Sequence, residues 1–441
     1  MTRPIAATEG TGAATKAGFR HSVRALRHRN FAVFWTGALI SNSGSWIQNA
    51  TVPYVLYQLT RSEAWVGLAT FAQFIPGVIF GPLGGSLADR LDRRRFLLLT
   101  QALLGMAAVA LWLLWIGGLR SPSAILLLVA ATGVLSGVNI PSWQAFVPAL
   151  VPREDLLSAI TLNSLQFNAA RAIGSGLAGL VLYKLGPANA FLFNAISYLC
   201  VLVALLQVRL PRGGGHRPAQ DGVMRQFAAA VRYAAKRPGI SLGIVMALLI
   251  AFLGNPIVQF AVVFAESVYH VGNLQYGLLA AAMGVGALVS APLVSGWDTV
   301  VARATVVRWA LPLYGLAVTL FGLSDGFLLG FIALVAAGAG FLAVISATNT
   351  AVQIIVAESM RGRVLACRVM SFTLAYSFGG LVQGQVAEWV GPRVTVATAG
   401  AALLAAGLYL AWGRPGLLEH LDDAPDVDDV DDAGRPGLTA G

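Results

Sequence analysis

Apolar residues in this chain are gathered into long runs separated by shorter polar segments. Each run offers the roughly 20 residues that a helix needs to cross a bilayer core of about 30 Å. The runs are continuous, whereas the strands of a membrane barrel would alternate apolar and polar residues over short segments. The pattern therefore predicts twelve transmembrane helices. They lie near residues 31–59, 64–88, 96–118, 122–150, 158–183, 188–208, 239–267, 274–296, 304–323, 327–356, 364–390 and 392–412.

Basic residues are distributed unevenly among the segments between these runs. If the runs cross the membrane alternately, 25 of the 30 Lys and Arg residues lie on the side of the N-terminus. Only four lie on the other side: Arg61, Arg120, Lys184 and Arg393. Because basic residues accumulate in cytoplasmic loops, the sequence predicts that both termini are cytoplasmic.

Composition agrees with a membrane protein. Hydrophobic residues make up 57% of the 441 and charged residues 11%, with a mean hydropathy of +0.71. Soluble domains carry about 25% charged residues. This composition excludes a soluble enzyme, a nucleic-acid-binding protein and a secreted scaffold. The net charge of +10 accordingly reports topology rather than an acidic partner.

The two halves of the chain resemble each other weakly at constant offsets. The longest polar interruption, residues 209–238, separates six runs from six others. Small residues match at offsets of 210 and 205: Gly67 with Gly277, Gly179 with Gly384, and Gly186-Pro187 with Gly391-Pro392. Parallel repeats of this kind are a transporter architecture, with the substrate site near the membrane midplane between the halves.

Five segments follow from this plan. We expect a basic cytoplasmic arm at 1–30 and six-helix bundles at 31–208 and 239–413. A cytoplasmic linker with an amphipathic helix is expected at 209–238. The remaining residues, 414–441, include eight acids between 419 and 432 and are expected to form a disordered acidic cytoplasmic tail.

A charged segment, GPLGGSLADRLDRRRF, lies between the second and third runs. Its glycines allow close helix approach, and its charges can form or break ion pairs with a neighbouring helix as the halves move. We interpret it as a candidate cytoplasmic gate. The gate residues are Gly85, Asp89, Arg90, Arg93 and Arg94. In the alternative interpretation the arginines only fix the topology.

This segment resembles the signature loop of the major facilitator superfamily, usually G-x-L-A-D-R-x-G-R-[RK], with Asp92 in place of the second glycine. Residues 25–412 are similar to the branch that contains enterobactin-exporter-like and macrolide-efflux-like bacterial proteins. The resemblance implies an all-α membrane protein whose twelve transmembrane helices form two pseudo-symmetric six-helix bundles, the major facilitator fold.

The resemblance also implies a function. We expect a secondary active transporter that works by alternating access, in particular a multidrug-type antiporter coupling protons to efflux of a bulky organic compound. The compound would be a drug, an antibiotic or a siderophore-like molecule. Proton-coupled uptake or translocation of a lipid-like substrate in the same fold is an alternative, as is a membrane sensor or scaffold that does not transport.

In this fold the first, fourth, seventh and tenth helices line the central cavity, so their polar faces are candidates for binding substrate. Residues three or four apart share a helix face. The candidates are Asn42, Trp46 and Asn49 in the first helix, Asn139 and Trp143 in the fourth, Asn255 and Gln259 in the seventh, and Asn349 and Gln353 in the tenth. Alternatively, the amides hydrogen-bond between helices.

Charged residues within the runs are rare, and each is costly in a membrane. Arg171 lies in the middle of the fifth run, where it is a candidate for binding an anionic substrate group or, alternatively, helix-end carbonyls. Glu266 and Glu388 lie toward the outer ends of the seventh and eleventh runs. They are candidates for proton coupling, with a purely solvated role as the alternative.

No clustering of His, Cys, Asp and Glu predicts a metal site, and no phosphate-binding loop is present. We therefore expect no metal, no cofactor, no enzymatic activity and no nucleic-acid partner. The expected partners are a small organic substrate, the proton and the lipid bilayer. The resemblance implies a monomer in the inner (plasma) membrane of the cell.

Overall fold

The computed structural model describes residues 23–208, 223–297 and 301–424, apart from the side chains of residues 86, 88–90, 223–224, 226 and 293–297. Helices account for nearly all of these residues, and we number them α1 to α14. Their bounds are α1 Arg29–Thr60, α2 Glu63–Arg90, α3 Arg93–Ile116, α4 Pro122–Phe146, α5 156–185, α6 187–207, α7 Val223–Ala235, α8 Pro238–Val268, α9 Asn273–Trp297, α10 Arg303–Leu323, α11 Phe327–Ile355, α12 Glu358–Val390, α13 Pro392–Gly413 and α14 Pro415–Glu419.

Twelve of these helices correspond to the twelve predicted membrane crossings. Ten helical stretches in the described residues are long and apolar enough to span a bilayer. One of them, Arg153–Gln207, contains both α5 and α6, which the positive φ of Gly186 separates. Helix α1 is not among the ten because its many Asn, Gln, Ser and Thr side chains lower its hydropathy, although it has 32 residues. The prediction of an all-α membrane fold is confirmed.

Local signals set several helix boundaries. The Asp92 side chain accepts a hydrogen bond from the backbone N–H of Arg95 at 2.8 Å and so caps the start of α3. Ser121 caps α4 in the same way. Proline begins α6 and α13, where its missing N–H would have no helical partner in any case. These short polar residues let the chain reverse between membrane crossings.

The helices form two bundles of six, α1–α6 and α8–α13. In the first, α1 packs on α5 and α6, and α2 packs on α4; in the second, α10 packs on α11 and α13, and α9 packs on α11. The bundles meet along two further pairs, α2 with α12 and α5 with α9. The central cavity of such an arrangement lies between these two contacts.

The glycines matched by the sequence repeat make the two contacts between the bundles. A Cβ atom at Gly67 would overlap the backbone of Gly380 and Gly384, and one at Gly179 would overlap the Cα of Gly277. Gly67 corresponds to Gly277 in the repeat, and Gly179 corresponds to Gly384. The contacts are therefore related by the pseudo-two-fold axis of the duplicated halves, and each brings two backbones together.

The membrane helices begin and end on two opposite sides of the molecule. The first and last described residues, 23 and 424, lie on the same side, which we call the terminal end. The connections between α1 and α2, α3 and α4, α5 and α6, α8 and α9, α10 and α11, and α12 and α13 lie at the opposite end, which we call the far end.

The predicted disordered tail requires a correction at its start. Residues Pro415–Glu419 form α14, and Leu418 and Leu421 are completely buried. The Asp422 carboxylate accepts hydrogen bonds from the backbone N–H groups of Arg303 and Ala304, at 3.0 and 3.1 Å, and thereby caps the N-terminus of α10. Buried leucines and an anion at a helix N-terminus account for the order of this segment.

The remaining segment boundaries stay predictions. Helix α7 lies within the predicted linker and carries a strongly amphipathic sequence. Residues 1–22 of the predicted arm, 209–222 of the linker and 425–441 of the tail lie outside the described residues.

Candidate functional site

Helix α8 is interrupted near its middle, and this interruption positions two of the predicted site residues. A π-helical turn, Ile250–Gly254, precedes Asn255 and Pro256. Proline cannot donate the hydrogen bond that the carbonyl of Phe252 would otherwise receive. Gln383 of α12 supplies it instead, because its Nε2 donates to the carbonyl oxygens of Phe252 and Leu253 at 2.7 and 3.1 Å. The break therefore places Asn255 and Gln259 at mid-membrane depth.

Four side chains from both bundles meet near the midplane, and we call them the central cluster: Trp46, Arg171, Gln259 and Tyr376. The guanidinium carbon of Arg171 lies 5.8 Å from the Trp46 ring centroid, within cation–π range. Gln259 Nε2 donates to the Tyr376 hydroxyl at 3.1 Å, and Tyr376 also interacts electrostatically with Arg171. Arg171 is exposed in the structure although it has these neighbours on both bundles.

The other candidates in the first and seventh helices lie close to this cluster along the chain. Asn42, Asn49 and Asn255 are half-buried. The Nδ2 atom of Asn42 is buried and has no hydrogen-bond partner among the described residues, which leaves a donor for a ligand. The structure thus places Arg171 beside Trp46 and connects Gln259 to Arg171 through Tyr376.

Glu266 joins the two bundles at the far end. Its carboxylate accepts a hydrogen bond from Gln58 Nε2 and forms an ion pair with Arg61 at 2.5 Å. Beside it, the Tyr54 hydroxyl donates to Asn273 Oδ1 at 3.0 Å. The predicted proton-coupling residue therefore lies within a polar network that links α1 with the end of α8 and the start of α9.

Glu388 makes a second connection at the far end. Its Oε2 accepts hydrogen bonds from the Ser62 hydroxyl at 2.7 Å and from the backbone N–H of Ala64 at 3.3 Å. The Glu63 carboxyl group also interacts with that of Glu388. Two facing carboxyl groups repel each other unless one of them binds a proton. These contacts and those of Glu266 join the two bundles at the far end.

The cavity assignment of the fourth helix is corrected by the structure. Asn139 is 8% exposed, and its Oδ1 accepts a hydrogen bond from Thr100 of α3 at 2.8 Å. Trp143 is 4% exposed, and its Nε1 donates to Asn163 of α5 at 3.2 Å. Both side chains face neighbouring helices of their own bundle, because the polar stripe of α4 meets α3 and α5 rather than the cavity.

The two candidates of the predicted tenth membrane helix, which is α11, lie in different environments. Gln353 is exposed near the terminal end, whereas Asn349 is half-buried and accepts a hydrogen bond from Arg368 of α12 at 3.1 Å. Arg368 was expected to be one of the basic residues that mark the cytoplasmic side, but it is 6% exposed and lies between α11 and α12.

The predicted gate is described only in part. The side chains of Asp89 and Arg90 lie outside the described residues. Gly85 and Arg93 are half-buried. Arg94 donates from Nε and Nη2 to the carbonyl oxygens of Leu205 and Leu206, both at 2.6 Å. Arg94 thereby holds the end of α6 within its own bundle in this structure, and its role as a gate residue stays a prediction.

Several residues of the site were absent from the sequence-based candidates. Tyr376, Gln383 and Arg368 all lie on α12, and Gln58 and Arg61 lie at the end of α1. The resemblance implies a cavity lined by the first, fourth, seventh and tenth helices, so the eleventh, α12, gave no candidates for binding substrate although its Arg, Tyr and Gln are visible in the sequence. Arg61 gave no signal, since its importance depends on the nearby Glu266.

The architecture and site define a class of protein. Two six-helix bundles related by a pseudo-two-fold axis enclose a polar and aromatic cluster at the midplane and are joined by breakable contacts at one end. This is the arrangement of a membrane transporter with a small-molecule substrate.

Comparison with known families identifies the particular group. The family model described as transmembrane secretion effector matches residues 21–426. The chain belongs to this family of major facilitator transporters, and the resemblance noted from the sequence is confirmed. It is accordingly a multi-pass membrane transporter and not an enzyme.

Individual relatives are distant in sequence but match over most of their length. The MFS-type transporter YfiS of Bacillus subtilis is 23% identical over 393 residues, which cover 85% of this chain and 91% of the relative. The enterobactin exporter EntS of Citrobacter koseri is 27% identical over 389 residues, covering 87% and 91%.

Solved structures share the fold. A bacterial homolog of the human lysosomal transporter Spinster, in an inward-facing and unoccupied conformation, superimposes with a TM-score of 0.70 at 16% identity, over 90% of this chain and 99% of the other. A D-xylose–proton symporter gives a TM-score of 0.68 at 16% identity, over 87% and 96%.

Proposed function

We infer that the chain is a proton-coupled exporter of a bulky organic compound, of the multidrug antiporter type. It acts as a monomer in the inner membrane with both termini in the cytoplasm. The observation that carries this proposal is the central cluster, where side chains of both bundles meet at the midplane. A ligand bound there contacts both halves and is released when they rock apart.

The chemistry of the cluster suits a large aromatic molecule. Trp46 and Tyr376 offer surfaces for stacking, Gln259 offers an amide, and Arg171 offers a positive charge that is exposed to the cavity. Pockets for organic ligands are largely apolar with a few placed polar groups, and this cluster has that character. Distant relatives named as enterobactin exporters agree with a bulky organic substrate.

The orientation rests on the distribution of charge. The terminal end carries most of the Lys and Arg residues, which favours placing it in the cytoplasm. The far end then faces outward, and its closed contacts represent the state that is shut toward the outside. Opening of the far end and closure at the predicted gate around Asp89 would complete the alternating-access cycle.

Proton coupling is supported by the two carboxylates at the far end. Glu266 and Glu388 join the bundles in the closed state, so they lose these partners and meet outer solution when that end opens. A group whose partners change between two conformations binds protons differently in each, which links the proton to the conformational cycle.

Transport into inverted membrane vesicles tests the proposal. Vesicles from cells that overproduce the protein are given an acidic interior and a panel of fluorescent aromatic compounds. We expect accumulation of at least one compound, abolished by a protonophore. Accumulation that a protonophore leaves unchanged would contradict proton coupling, and accumulation only in intact cells would indicate uptake.

Two variants assign the coupling to the far end. Glu266→Gln and Glu388→Gln should lose gradient-driven accumulation while keeping exchange of the compound down its own gradient. Glu154→Gln is the control, since Glu154 is exposed at the terminal end. Equal accumulation by all three variants would show that Glu266 and Glu388 take no part in proton coupling.

A further inference from the structure

Arg368 is a buried cation on α12 that the transport cycle described above does not use. Its Nη1 donates to Asn349 Oδ1 at 3.1 Å, and its Nη2 donates to Thr348 Oγ1 at 3.0 Å and to the Ile345 carbonyl oxygen at 3.4 Å. Its Nε is buried and has no hydrogen-bond partner among the residues that the structure describes. The side chain bridges from α12 to α11 while one of its donors remains free.

The charge of Arg368 is not neutralised within the described part of the chain. All the acceptors that it contacts are neutral, and no described carboxylate forms an ion pair with it. A charged side chain within a membrane span is costly, and such residues usually pair with one another or mark a substrate pathway. Bridging α11 to α12 would need only hydrogen bonds, which a neutral amide provides without a buried charge. The positive charge therefore calls for an anion from outside the chain.

We propose that Arg368, Asn349 and Thr348 form an anion subsite that binds an acidic group of the transported compound. This deepens the proposed function, on which it rests, and gives the substrate class as an aromatic organic acid. A guanidinium binds a carboxylate through two parallel hydrogen bonds, and the free Nε–H supplies one of them. Asn349, which accepts a hydrogen bond from Arg368, is half-buried, so the subsite is not fully enclosed.

The subsite shares helix α12 with Tyr376 of the central cluster. Arg368 precedes Tyr376 by eight residues on α12, which places it about 12 Å closer to the terminal end. Arg171 interacts with Tyr376, so α12 carries the guanidinium of Arg368 and interacts with a second one farther from the terminal end. A bulky acid entering from the terminal end meets Arg368 first and then the aromatic groups and Arg171.

Matched pairs of ligands test the subsite on the purified full-length protein in detergent. Each aromatic carboxylate is compared with its neutral carboxamide, beginning with naphthoate and naphthamide, by thermal shift and tryptophan fluorescence. We expect carboxylates to bind the unmodified protein more tightly than their amides. In Arg368→Gln this preference should fall at least about tenfold, while amide binding is unchanged. Arg361→Gln, an exposed position on the same helix, is the control and should keep the preference.

A second variant covers the case in which Arg368→Gln does not fold. Arg368→Lys keeps the charge but loses the paired donors, so it should retain a weakened preference for carboxylates. The subsite is overturned if the panel shows no preference for carboxylates, or if the preference survives in Arg368→Gln. Binding is measured without a gradient, so it does not depend on proton coupling. If the protein prefers carboxylates in detergent but shows no proton-driven transport in vesicles, only the export mechanism is refuted.

Discussion

Two glycines at the far end have backbone angles that other residues rarely adopt. Gly186 has φ 77° and ψ 174°, and Gly391 has φ 88° and ψ 153°. Each is followed by a proline that begins the next helix, and the two positions correspond in the sequence repeat. A glycine–proline pair thus ends α5 and starts α6, and a second pair ends α12 and starts α13.

Substitution of Gly186 should destabilise the protein. Gly186→Ala forces a side chain into a conformation that is essentially restricted to glycine, at a cost of about 1–3 kcal/mol. We expect a lower midpoint of thermal unfolding in detergent. Gly176→Ala in α5, the helix that Gly186 ends, is the control: a Cβ there meets open space, and alanine favours the helix. Equal midpoints for the two variants would show that the Gly186 conformation is not required.

At the scale of helices, the contacts between the bundles depend on small residues. The α5–α9 contact passes through Gly179 and Gly277, and the α2–α12 contact passes through Gly67, Gly380 and Gly384. Helices in membranes associate through such close approach, since lipid provides no hydrophobic driving force between them. These contacts lie in the halves of the helices nearest the far end, so they close that end.

Enlarging one of these glycines should open the far end. In Gly277→Ala the added methyl group meets backbone atoms of Gly179, which cannot move aside without separating α5 from α9. We expect greater accessibility of a cysteine introduced at the far end, in a background with Cys200 and Cys367 replaced by serine, and slower transport. Gly284→Ala on the same helix should change neither, because open space surrounds that position. Identical accessibility in both variants would contradict the role of the α5–α9 contact.

For the whole molecule, the polar network at the far end links the conformational equilibrium to charge. The Arg61–Glu266 pair joins the first bundle to the second, whereas the Arg393–Asp325 pair, at 2.6 Å, lies at the same end within the second bundle alone. Only the first pair breaks when the bundles separate. Comparison of the two pairs therefore isolates the part of the electrostatics that acts on the transport cycle.

A double-mutant cycle should detect this difference. Arg61→Gln and Glu266→Gln should each increase the population that is open at the far end, and the double variant should add less than their sum. Arg61 is 61% exposed, so the coupling energy should be about 0.5–1 kcal/mol. The measurement is the distance distribution between spin labels on the two bundles. The Arg393–Asp325 cycle should leave this distribution unchanged, and an equal effect of both cycles would argue against a gating role for Glu266.

The sequence alone determined the twelve membrane crossings, the two halves and the positions of the repeated glycines. Hydropathy and helical period are local properties, and they are sufficient for these features. The sequence also made Trp46, Arg171 and Gln259 candidates for the cavity; the structure places Arg171 beside Trp46 and connects Gln259 to Arg171 through Tyr376, and their role in binding stays a prediction. The family resemblance indicated which helices line the cavity.

The tertiary structure alone decided what each polar face meets. Helical spacing places Asn139 and Trp143 on one face of α4, but the neighbours of that face are α3 and α5 rather than the cavity. Arg368 reads in sequence as one more cytoplasmic arginine, yet packing buries it between α11 and α12, where no carboxylate of the described residues pairs with it. The environment of a side chain is set by segments remote in the chain, and period and composition carry no information about those partners.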